Sequence, residues 1–139
     1  DEAATRAKGR TDWPAYPFLK ELVDAEGRTE SRVWDAILEK TRSEVGRLEE
    51  KGEYRAALEA WDRIRPPFPD KRATIQGEKS GVEFRAKQRA DAAVKEAPPG
   101  RPGAEALRAV AAKMPAKIAE ELENIAFLRE RADASGGPL

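Results

Sequence analysis

A chain of 139 residues has the length of one domain, and its 26 Lys and Arg are matched by 26 Asp and Glu with the balance holding segment by segment, so no segment is a polyanion-binding tail. The absence of Cys and His removes thiol nucleophiles, disulfides, Cys/His zinc clusters and imidazole acid–base chemistry, and no cofactor is called for. With 40% apolar and 37% charged residues and a mean hydropathy of −0.75, thin helical layers with large solvated faces are expected rather than a thick globule.

The first residues, Asp1-Glu2-Ala3-Ala4, contain neither an initiator Met nor a signal-peptide core, so a processed protein or a piece of a longer one is expected. No apolar window approaches the length of a membrane span. Zero cysteine suits either side of a membrane, and the Ala/Arg/Pro-heavy usage is of a kind found in bacteria with GC-rich genomes.

Trp13 and Tyr16, with Phe18, form an aromatic patch in a Pro-containing segment, which reads either as partner anchors or as a seal over the end of a hydrophobic core. A short helix is expected over residues 17–25, with Phe18, Leu19, Leu22 and Val23 apolar. Residues 30–51 place Trp34, Ile37, Thr41, Val45 and Leu48 on one stripe, with Thr29 or Ser31 able to cap the start and Gly52 ending the helix. A third helix over 53–65 carries Tyr54, Ala57, Leu58, Trp61 and Ile64, and the short junction makes the pair antiparallel.

Pro66-Pro67-Phe68-Pro69 stops that helix, and Asp70 is placed to cap a long helix over 70–97 with Ile75, Val82, Ala86, Ala90, Ala93 and Val94 inward. Gly77 and Gly81 each weaken it by about 1 kcal/mol relative to Ala, which implies either a closely approaching helix or a break near Ser80. Residues 98–103 read as a linker. Helices over 104–113, with Leu107 and Val110 inward, and over 115–131, with Pro115 at its first position and Ile118, Leu122, Ile125 and Ala126 inward, complete the chain.

Gly52-Glu53-Tyr54 at a turn, Ala57 and Trp61 four apart on the next helix, and the closing Pro69 together resemble the second half of a tetratricopeptide (TPR) repeat, over about residues 38–69. The resemblance implies an all-α, degenerate stack of antiparallel helical hairpins forming one elongated domain over 1–139. It also implies a groove lined by Glu39, Arg42, Gly46 and Glu49. A weaker correspondence sets Trp61, Ile64, Phe68 and Pro69 against Leu107, Val110, Met114 and Pro115.

Among chemistries, the acidic runs Glu49-Glu50 and Glu120-Glu121 with Glu123 fit a solvated face better than an acid–base pair. No nucleophile elbow and no phosphate-loop motif is present, since Gly77-Glu78-Lys79-Ser80 lacks the leading Gly. Phe84 among seven basic residues over 70–97 could serve nucleic-acid binding, but five acids accompany them and an ordinary solvated helix is the simpler reading. The expectation is a non-catalytic protein-interaction module taking a peptide or helix. A self-assembling structural subunit is the alternative, with a nucleic-acid-binding helical protein and an enzyme behind both.

Overall fold

Five helices account for the regular structure of residues 17–134, the part of the chain described by a computed structural model: α1 (Pro17–Glu50), α2 (Tyr54–Asp62), α3 (Pro69–Glu96), α4 (Gly100–Ala111) and α5 (Ala116–Ala134). The described residues are all-α. Two compact units divide the chain, residues 1–40 and 41–139. Trp13 lies outside the described residues, as do Tyr16 and the side chain of Phe18.

In the first unit, the helices expected over 17–25 and from 30 onward are one continuous helix. Gly27 does not break it, because a single glycine costs about 1 kcal/mol while the surrounding Glu, Arg and Ala favour helix. Thr29 is therefore not a cap: its hydroxyl donates to the Ala25 carbonyl one turn back, at 2.9 Å. Leu38 is buried, whereas Trp34 and Ile37 are only half-buried and Val33 is exposed.

The second unit begins where α1 buries Thr41 and Val45. The helix ends in a Schellman turn. Gly52, at φ +77°, donates to the Glu49 carbonyl at 2.9 Å, and Glu53 donates to that of Leu48 at 2.9 Å. Tyr54, Ala57, Ala60 and Trp61 form the buried face of α2.

Phe68 is the cap residue of α3, and Pro69 opens the helix where no N–H is needed. Asp70 consequently sits inside the first turn, where its charge meets the positive end of the helix dipole. The helix runs unbroken past Ser80, burying Ile75, Val82, Ala86, Ala90 and Ala93. Neither expectation drawn from its glycines holds among the described residues: there is no break, and a side chain built on Gly77 would meet nothing within 4 Å.

The expected linker over 98–103 is shorter. Helix α4 already begins at Gly100, because Pro102 is tolerated in a first turn whose N–H groups have no intrahelical acceptor. Gly103 is buried there, and a Cβ on it would stand 1.7 Å from the Pro98 carbonyl oxygen. Pro115 precedes α5 rather than opening it, and its carbonyl accepts the first helical bond from Ala119 at 2.9 Å.

Long α3 organises the unit. Helix α2 packs on it, and α4 and α5 contact it and pack on each other. The backbone N–H of Arg55 in α2 donates to the Lys113 carbonyl at 2.9 Å, and its guanidinium donates to the Met114 carbonyl at 2.8 Å. The start of α2 thus meets the end of α4, so these two helices follow one another along α3, with opposite dipole ends facing. Arg129 of α5 closes the far end of α3, donating to the carbonyls of Val94 at 3.1 Å and Ala97 at 3.3 Å.

Candidate functional site

Helical spacing sets Gly77, Ser80, Gly81, Phe84 and Gln88 on one face of α3, directly opposite the buried stripe of Ile75, Val82, Ala86 and Ala90. Among the described residues of the second unit, no helix covers this face. Gly77, Ser80 and Gln88 are exposed, and Phe84 retains 64% of its accessible surface.

One flank is built by the last turns of α1. Arg42 donates to Glu78 at 3.3 Å, and Arg85 grips Glu49 with two bonds of 2.6 and 3.0 Å. Steps of seven residues on each helix, 42 to 49 and 78 to 85, show that α1 and α3 run parallel here. The hydrogen bond to Glu49 raises the already high pKa of Arg85 further, against the opposing effect of its burial. Gly81 has a local use in this pair, since a Cβ there would lie 3.1 Å from the Arg85 guanidinium that reaches across it.

The opposite flank belongs to α5. Lys87 bonds Glu121 at 3.0 Å and pairs with Asp91 at 3.3 Å, and the hydrogen bond to Glu121, then that to Asp91, raises its pKa. The face is therefore a strip of nearly bare backbone with one aromatic, bordered by neutralised charge pairs.

The structure brings Arg42 and Glu49 to this border, but as ion-pair partners of α3 rather than as open groove side chains. Gly46 lies between them on α1, exposed and with nothing within 4 Å of a side chain built there. Glu39 is exposed in the first unit, and Trp13 and Tyr16 lie outside the described residues. The acidic run of α5 is on the surface: Glu121 and Glu123 serve as partners of Lys87 and Arg108. Among the described residues no group of three or more His, Cys, Asp or Glu side chains is placed to hold a metal ion. No described helix is long and apolar enough to cross a membrane.

Sequence reasoning missed the α3 strip as a site, although two signals pointed to it. Phe84 stands off the apolar stripe, and the glycines at 77 and 81 stand four apart. No protein-family model, curated protein or solved structure matches this chain.

Proposed function

We propose that this chain is a non-catalytic protein-interaction module whose α3 strip receives a helix of another protein. The observation that carries the reading is the uncovered run Gly77, Ser80, Gly81 and Phe84. Two glycines inside a helix cost about 1 kcal/mol each against alanine. Among the described residues nothing approaches Gly77 to offset that cost. Small residues four apart let a second backbone come close, and an exposed aromatic beside them supplies an anchor. Charged pairs on both borders then fix register by electrostatic complementarity.

The TPR resemblance enters this proposal at the level of the α1–α2 turn, with Gly52, Tyr54, Ala57 and Trp61. The lengthwise succession of α4 and α2 along α3 gives the second unit its own geometry, in which the long helix offers the docking face.

A nuclease-treated pull-down from native lysate, with parent and Phe84→Glu baits run in parallel, tests the function. Expected is a heterologous protein retained by the parent and lost from the variant, with both baits giving the same circular dichroism spectrum. Capture that ignores Phe84→Glu contradicts the docking face, and recovery of the chain alone favours the self-assembling subunit.

A further inference from the structure

On the far side of α3 from the docking strip, the α2–α3 junction encloses a cleft of about 350 Å³. Its apolar wall is Trp61, Ile64, Pro66 and Ile75, of which Trp61 and Pro66 are fully buried. Its polar border carries Arg65, Arg72 and Lys79 against a single carboxylate, Asp62. That carboxylate is already taken by Lys79 at 2.6 Å.

The two guanidiniums are left without an anion. Arg72 donates only to the Pro66 carbonyl, at 3.3 Å, and Arg65 has no hydrogen-bond or ion-pair partner among the described residues. Arg42, Arg63, Arg85, Arg89 and Arg108 of this unit each face a carboxylate, and Arg55 and Arg129 bond backbone carbonyls. Two uncompensated guanidiniums beside one concavity are therefore a local excess in a chain of zero net charge.

A second, independent observation lies in the same wall. The indole Nε1 of Trp61 is buried and has no hydrogen-bond partner. Buried donors are nearly always satisfied, so this one is unusual, and it belongs to a residue that lines the cleft.

We propose that this cleft binds a small amphipathic anion: an apolar body against the half-exposed Ile64, with one carboxylate, sulfonate or phosphate held by Arg65 and Arg72. Guanidinium forks suit the planar, two-oxygen edge such groups present. The volume is roughly ten times the share of one water molecule in the liquid, too large for a bare inorganic anion to fill. It lies at the lower end of the range for small-molecule pockets. The site is separate from the α3 docking strip, and the two readings stand or fall independently.

Isothermal titration calorimetry with naphthalene-2-sulfonate tests it, alongside neutral 2-naphthol and inorganic sulfate. One saturable site is expected for the sulfonate, with 2-naphthol and sulfate each weaker by about tenfold or more. The double variant Arg65→Gln/Arg72→Gln should weaken the sulfonate by about tenfold or more while melting with the parent, since both side chains are exposed. Naphthalene-2-carboxylate and 1-naphthyl phosphate in the same cell identify the preferred headgroup. Absence of saturable binding overturns the site, as does equal affinity for 2-naphthol or indifference to the double variant.

Discussion

Two stretches of α3 are flanked by helices in contrasting ways. Toward the C-terminus, α4 and α5 close on each other through small or fully buried residues: Gly103, Ala104, Leu107, Ala111, Met114, Leu122 and Ala126. Along the middle of α3, α1 reaches it through long charged side chains, Arg42 to Glu78 and Glu49 to Arg85. Close apolar contact leaves no room for a partner, whereas an ion-paired border holds two helices parallel and leaves the strip beside it open. On the proposed reading, stability and recognition fall on different faces of one helix.

The sharpest way to break the contrast is on the closed side. Gly103→Val drives a branched side chain into the Pro98 carbonyl, and a loss of about 3 kcal/mol is expected in denaturant unfolding. Because backbone rather than a flexible side chain is struck, a variant melting with the parent would show that the α3–α4 turn is not built as described. Trp61→Ala should cost a comparable 3–5 kcal/mol, since the ring is fully buried in α2. Ala57→Leu, also with no exposed surface, should cost about 1–3 kcal/mol by overpacking the α2 face, and a neutral result would remove Ala57 from the core.

On the open side the effects are smaller and one reverses sign. Gly77→Ala should stabilise the free chain by about 0.5–1 kcal/mol, because it improves helix propensity and meets no atom. Destabilisation would mean that something covers the strip in the free protein. Arg85→Ala should cost only about 0.2–1 kcal/mol and less in high salt, because half of its side chain is exposed and solvent screens the pair with Glu49.

A pH series sharpens the same point. Lys87 and Arg85 have folded-state pKa values raised by their carboxylate partners, so their contribution is fully present below the ordinary lysine and arginine values and is lost only as pH climbs through the raised ones. With no histidine in the chain, no side chain of ordinary pKa titrates near neutrality. Chemical-denaturation stability should therefore be nearly flat from roughly pH 6 to 9. A step in that interval would contradict this assignment of the charge pairs.

Much of the helical content was legible because it rests on local chemistry. Gly52 marks a reversal whichever helices flank it, and the apolar stripe of α3 reads directly from Ile75 to Ala93. The continuity of α1 through Gly27 was not legible, since one glycine shifts helix propensity by less than the neighbouring residues supply. The early start of α4 was hidden in a Pro/Gly run that reads as linker, where Gly103 is demanded by a carbonyl five residues earlier. The sites were legible only in part: Arg42 and Glu49 lie at the border of the strip, but their partners Glu78 and Arg85 are 36 residues away in sequence. Likewise, the cleft that Arg65 and Arg72 border exists only once α2 and α3 are packed.

The most direct test of the docking face is photo-crosslinking in native lysate from an amino acid placed at Ser80, compared with the same group at Glu105, which is exposed on α4. The account expects one heterologous protein joined through position 80 and none through 105. Equal capture at both positions, or adducts of the chain only with itself, would contradict it.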